Sequence, residues 1–167
     1  MNQTTDQMNR SVEASELDGN QPVFEEFNPE NILQVVPLYM GVFNSPPWND
    51  GWSESAASER MTSFAKYPEF FGLKLSVDGI AIGFALGWAE RWVDAWKFHL
   101  YEMCISPDRQ GKGYGRILLS ELERQTREKG YMAIFLQTGA KVPARKFYEA
   151  CGYRDHGLVI MGKRYAD

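Results

Sequence analysis

Apolar residues recur at helical spacing in some stretches of this chain and fill short strand-like runs in others, and the changes between the two mark its elements. Residues 23–27 read as a short strand. Residues 29–42 read as a helix, with Ile32, Leu33, Val36, Tyr39, Met40 and the adjoining Phe43 at helical spacing. A loop rich in turn residues follows from Asn44 to Trp52, holding Pro46, Pro47 and two tryptophans. Ser53 opens a second helix expected to reach about Tyr67. Residues 71–77 and 80–90 are two strands joined by Asp78-Gly79, a strong two-residue hairpin signal. Residues 92–97 carry the chain onward to another strand at 99–106. A helix from Gly113 to Lys129 stops at Gly130. A strand at 131–137 comes next, then a helix at 143–151 with Pro143 in its first turn and Gly152 just past its end. Residues 153–165 are expected to be mostly extended. The predicted order is β-α-α-β-β-β-α-β-α-β, a mixed α/β fold around one central sheet flanked by helices.

Residues 1–22 stand apart. They are polar, with only Met1, Met8, Val12 and Leu17 as larger apolar residues, and too little to bury to offset ordering. A disordered tail is expected there, with the folded domain at 23–167. The whole chain has 167 residues, which suits one such domain. No apolar run approaches the roughly 20 residues of a membrane span, and the opening residues hold no apolar stretch of the kind a signal peptide needs. Cys104 and Cys151 lie far apart in apolar surroundings with no metal-ligand spacing, so buried free thiols and a cytoplasmic location are expected, with no metal.

The net charge of −4 is unevenly spread. Residues 23–96 carry 4 basic side chains against 10 acidic, whereas residues 97–167 carry 13 basic against 8 acidic. A basic second half suits an anionic ligand and an acidic first half a cationic one; solvated surface would give the same count. No basic stripe with interleaved aromatics is present, which argues against nucleic acid as a partner.

The chemistry concentrates at Cys104-Ile-Ser-Pro-Asp-Arg-Gln-Gly-Lys-Gly-Tyr-Gly115, where an apolar strand gives way to a helix through glycines at 111, 113 and 115. Glycines let the backbone take positive φ and approach a ligand closely. The N–H groups that open a helix have no partner within it and favour an anion. Arg109, Lys112 and Arg116 add positive charge. The combination reads as a pyrophosphate cradle. The P-loop pattern fails for want of a closing Gly-Lys-Ser/Thr, and the dinucleotide-binding pattern fails in spacing.

Gln110-Gly111-Lys112-Gly113-Tyr114-Gly115 resembles motif A of the GCN5-related N-acetyltransferases, Gln/Arg-x-x-Gly-x-Gly/Ala. Downstream, Phe147-Tyr148-Glu149-Ala150-Cys151-Gly152-Tyr153 resembles that family's Phe-Tyr-Glu-x-x-Gly-Phe/Tyr element, in the family's order. The resemblance implies the acyl-CoA N-acyltransferase fold and acetyl transfer from acetyl-CoA to a primary amine. It puts the pyrophosphate on Gln110, Gly111, Lys112, Gly113, Tyr114, Gly115 and Arg116, mostly through backbone N–H. It lays the pantetheine arm along Met103, Cys104 and Ile105 as an added strand. It makes Tyr148 the acid for the leaving thiolate; a core aromatic is the alternative for that residue. Glu102 or, as its rival, His99 would take the proton from the amine. Strand alternation places Glu102 on the face opposite Tyr101 and Met103. Lys141 stands where many members have an Asn that touches the coenzyme.

The family binds its acceptor largely through the early helix pair and its loop. Here Trp48, Asp50, Trp52 and Glu54 form either an aromatic, acidic pocket for a cation or ordinary packing. Trp88, Trp92 and Trp96 could line its other side. A small cationic amine is expected: aminoglycoside-like, polyamine or lysine-like. The alternatives are a protein or peptide acceptor, and an acetyl-CoA-binding module without turnover. The family's frequent dimers extend the expectation to a homodimer, with no membrane partner.

Overall fold

The computed structural model describes residues 21–165. The disordered tail expected at 1–22 lies outside the described residues except for Gln21 and Pro22, which have no regular structure. The chain divides into two compact units between Leu136 and Gln137.

The first unit is built on a mixed sheet. Its five strands lie in chain order: β1 (Val23–Glu26), β2 (Phe70–Val77), β3 (Ile80–Trp92), β4 (Ala95–Ile105) and β5 (Tyr131–Leu136). The first three pairings are antiparallel and the last, β4 with β5, is parallel. Asp78 and Gly79 form the predicted hairpin turn, with Val77 paired to Ile80. The sequence suggested a connecting stretch over residues 92–97 between strands at 80–90 and 99–106. Instead β3 and β4 run on to Trp92 and Ala95, and Val93-Asp94 alone turns the chain. Val93 sits there at φ 51°, an unusual conformation for a β-branched residue and so a turn that residue types do not announce.

Two helices cover one face of the sheet: α1 (Val36–Phe43) and α2 (Glu54–Phe64). The single helix expected over residues 29–42 is split. Residues 32–35 form a 3-10 turn, and α1 starts afresh at Val36 because Pro37 cannot donate the N–H that a continuous helix needs. Ser53 caps α2, its Oγ accepting from Ala56 N at 3.2 Å. The core on this face joins Val35, Tyr39, Met61 and Phe64 to Phe84 and Leu86 of β3 and Cys104 of β4. The opposite face holds α3 (Tyr114–Glu128), whose Leu118, Leu119 and Leu122 are buried, with Ile117 half-buried. Phe98 packs there between Phe71 and Tyr131.

The β3–β4 ladder contains one break in register. Leu86 pairs with Glu102 but Gly87 pairs with Leu100, so Tyr101 is an extra residue in β4. This bulge depends on Gly87, where a Cβ would run into the carbonyl of His99 and the ring of Phe98.

The second unit holds α4 (Pro143–Ala150) and the residues after it. Residues 153–165 are not a strand: none of them is in a ladder among the described residues, and Leu158, Val159, Ile160 and Met161 are exposed. Extended character in a sequence does not by itself supply a pairing partner.

Two glycine-to-alanine substitutions should act with opposite sign in urea denaturation. Gly87→Ala must push the β4 backbone aside and should cost about 1–3 kcal/mol. Gly41→Ala, exposed in α1 with open space around it, should stabilise by about 0.5–1 kcal/mol.

Candidate active site

The turn after β4 is held by its own backbone. Ser106 N donates to Ile82 O at 2.7 Å, and Arg109 N to Ser106 O at 2.9 Å across a 3-10 turn at Pro107–Arg109. Gln110 Nε2 donates to Ile105 O at 3.0 Å, tying the loop to the strand end. Gly113 caps α3 at φ 85°, a left-handed conformation that side-chain-bearing residues avoid. The backbone N–H groups of Tyr114, Gly115 and Arg116 have no backbone acceptor among the described residues. N–H groups that open a helix in this way suit an anion, and the side chains of Lys112 and Arg116 are exposed beside them. Arg109 is partly engaged, 3.4 Å from Asp108. The side chain of Tyr114 is buried in the core, which leaves only its backbone for a ligand.

Upstream of this turn, β4 loses its partner on one side. The parallel pairing with β5 ends at Leu100 with Leu136, so residues 101–105 pair with β3 alone. The change comes at the bulge, since an extra residue raises the local twist and disrupts pairing. Met103, Cys104 and Ile105 therefore lie on a strand with one edge open among the described strands.

The bulge also defeats the alternation expected for Glu102. Tyr101 and Glu102 turn to the same face, the one covered by α1 and α2, because both meet Arg60 of α2. Arg60 Nε and Nη2 donate to Glu102 Oε1 at 3.2 and 2.5 Å. The side chains are 30% and 12% exposed, so the pair is largely out of water. The guanidinium lies 5.2 Å from the ring centre of Trp52, 5.0 Å from that of Phe64 and 5.7 Å from that of Tyr101. Burial pushes the Glu102 carboxyl above the ordinary carboxylate range, opposed by Arg60 and reinforced by Asp50. Asp50 accepts from Trp52 Nε1 at 3.1 Å, and Asn44 braces the loop by bonding both the N and the O of Trp52. Trp88 stacks on Tyr67 and tilts against Tyr101.

His99 faces elsewhere on β4. Its ring stacks on Phe135, and Nε2 is 3.0 Å from Glu90 Oε1 without the alignment of a hydrogen bond. Cys104 is buried and its thiol is pushed well up by burial, with the Glu102 charge adding to the effect. Cys151, expected to be buried, is only partly so. Within the second unit, Tyr148 is half-buried, and its ring meets those of Phe147 and Tyr153 edge-on at 5.2 and 5.7 Å. Lys141 is exposed.

A family model described as the acetyltransferase (GNAT) family matches residues 33–153. The chain belongs to that family. The acetyltransferase is 30% identical over 119 residues to a [ribosomal protein bS18]-alanine N-acetyltransferase of Haemophilus influenzae, covering 71% of this chain and 70% of that one. In fold it resembles aminoglycoside N-acetyltransferase AAC(6')-Iy in complex with CoA, with a TM-score of 0.72 at 17% identity over 89% of this chain and 97% of the other. An aminoglycoside acetyltransferase from an uncultured soil metagenomic sample, in complex with sisomicin, superposes with a TM-score of 0.69 at 14% identity, over 87% and 97%. The fold is that of the acyl-CoA N-acyltransferases, and the protein is an acetyl-CoA-dependent N-acetyltransferase.

Of the acetyltransferase residues singled out in the sequence, the fold draws Asp50, Trp52 and Glu102 into one cluster. Trp48 lies against Phe43 instead, and Glu54 is exposed in the first turn of α2. Trp88 joins the cluster through Tyr101, whereas Trp92 lies at the far end of the hairpin under Lys97. Arg60 was missed. It follows the buried stripe of Ala57, Met61 and Phe64 on α2, and its partner is 42 residues away. Only its place beside an apolar stripe hinted at a buried guanidinium.

The cradle is tested by Gly113→Trp. Calorimetric affinity for acetyl-CoA should fall at least tenfold, about 1.4 kcal/mol, with the circular dichroism spectrum unchanged. Unaltered affinity would remove the anion site from this turn.

Proposed function

We propose that this acetyltransferase moves the acetyl group of acetyl-CoA to the primary amine of a small cationic acceptor by direct attack in a ternary complex. The acceptor chemistry is that of an aminoglycoside, a polyamine or a lysine-like group. The observation that carries the reading is the buried Glu102 carboxylate. It sits directly before Met103, where the β4 edge opens, with Asp50 and the ring of Trp52 beside it.

In this reading the pyrophosphate rests on the α3 start, from Gly111 to Arg116. The pantetheine arm runs along Met103–Ile105, and a backbone N–H near Cys104 faces the thioester oxygen. An alkylammonium has a pKa of about 10.4 and must lose a proton before it can attack. Glu102 takes that proton, directly or through water, with His99 as the rival base. The nitrogen lone pair then forms the C–N bond at the thioester carbon, and the C–S bond breaks as the oxyanion collapses. The thiolate gains a proton from the Tyr148 hydroxyl, the second proton of the nitrogen restores that hydroxyl, and Glu102 passes the first to solvent. The products are the acetamide and CoA thiol, with one proton released to solvent. Burial raises the Glu102 carboxyl, so activity should rise with pH along a limb above the ordinary carboxylate range.

A second reading, acetylation of a peptide α-amine, is favoured by the 30% identity to the bS18-alanine N-acetyltransferase. An α-amine has a pKa of about 7.7–8.0 and asks less of a base.

Thiol release from acetyl-CoA, measured with spermidine, an aminoglycoside and an alanine-headed peptide, separates these. Turnover of the first two is expected. Turnover of the peptide alone establishes the second reading, and acetyl-CoA binding without turnover of any amine leaves a binding module. On the active acceptor, Glu102→Gln should lower kcat/KM by about 10²-fold or more. Tyr148→Phe should lower kcat with acetyl-CoA affinity retained; full activity would return Tyr148 to packing.

A further inference from the structure

The aromatic, acidic pocket that suits a cation already holds one belonging to the chain. Arg60 lies among the rings of Trp52, Phe64 and Tyr101, and its charge is met by Glu102. The form of the pairing is informative. A guanidinium facing a carboxylate squarely engages both oxygens, one per N–H. Here Nε and Nη2 both converge on Oε1, and Oε2 has no hydrogen bond among the described residues. One oxygen fixes the carboxylate, and the other keeps its lone pairs for a proton.

We propose that Arg60 is the positioning residue of this acetyltransferase, caged by three rings so that it holds Glu102 by Oε1 and leaves Oε2 to receive the acceptor's proton. This rests on the reading of Glu102 as base. The groups facing Glu102 support it from each element packed there. Arg60 comes from α2, the Asp50 carboxylate from the loop before it and the Tyr39 hydroxyl from α1; Tyr101 and the Cys104 thiol come from β4. Arg60 is the one cation among them, so it alone offsets burial of the carboxylate. Tyr39 and Cys104 are held protonated by burial and add no charge. Arginine suits the task better than lysine. Its planar head stacks on rings and presents two donors in fixed geometry, where an ammonium is a rotating point charge.

The test reads the carboxylate itself, without an acceptor. The full chain is labelled with 13Cδ-glutamate and titrated by NMR, the Glu102 resonance being assigned by its loss in Glu102→Gln. In Arg60→Met the Glu102 midpoint should move up by more than about one pH unit. In Arg60→Lys, which guards against a failure of the methionine variant to fold, it should stay nearer the wild-type value. Thiol release with spermidine or the alanine-headed peptide, whichever turns over, supplies the second readout. Arg60→Met should shift the acid limb of kcat/KM upward, and it should have no further effect in the Glu102→Gln background. An unmoved Glu102 midpoint in Arg60→Met overturns the proposal. So does a lower KM for spermidine in Arg60→Met with guanidinium as a competitive inhibitor of the wild type, which would make Arg60 an occupant of the acceptor's seat. If Glu102→Gln keeps full turnover, the base assignment falls and the proposal with it. That result differs from an inactive Glu102→Gln beside an unaffected Arg60→Met, which overturns the proposal alone.

Discussion

The extra residue in β4 governs what the rest of this sheet can do. A regular ladder would send Tyr101 and Glu102 to opposite faces and keep β5 paired to the end of β4. With Tyr101 inserted, two consecutive side chains meet Arg60, and β5 parts company after Leu100. The distortion is possible because Gly87, across the ladder, has no side chain to oppose the carbonyl of His99. A carboxylate among aromatic rings and a strand with one open edge thus arise together from one local irregularity.

Burying the Arg60–Glu102 pair is a poor way to gain stability. Desolvating two charges costs several kcal/mol each, and well-packed apolar residues often serve the fold better. The pair is placed where α2 crosses the bulged part of β4, and the rings of Trp52, Phe64 and Tyr101 exclude water on several sides. Removing either partner leaves a charge without compensation. Such an arrangement makes sense as the setting of a proton-transfer group, because the same low dielectric that makes it costly sharpens every interaction within it.

Much of this was legible in the residues, and the boundary of legibility is physical. The glycine turn, α3 and the Asp78-Gly79 hairpin follow from local conformational preference, and all three stand where the sequence placed them. Pro37 is visible in the sequence, but whether it ends one helix or opens another depends on how residues 32–35 pack. Val93 gives no turn signal. The bulge at Tyr101 depends on a glycine in another strand, and the Arg60–Glu102 pair joins residues 42 positions apart, so neither can be read from a window of neighbours. Residues 153–165 show the converse: strand-like composition without a ladder among the described residues.

Cys104 carries a consequence for chemical selectivity. A protein that handles an activated thioester puts its own nucleophiles at risk, and a thiolate attacks such a carbonyl readily. Here the sulfur belongs to the strand assigned to the pantetheine arm, yet its side chain turns into the apolar layer beneath α1 and α2. Burial and the adjacent carboxylate keep it a thiol. With the arm placed as proposed, this protection keeps the chain's own sulfur from capturing the acetyl group, and it makes Cys104 a poor target for alkylating or oxidising reagents.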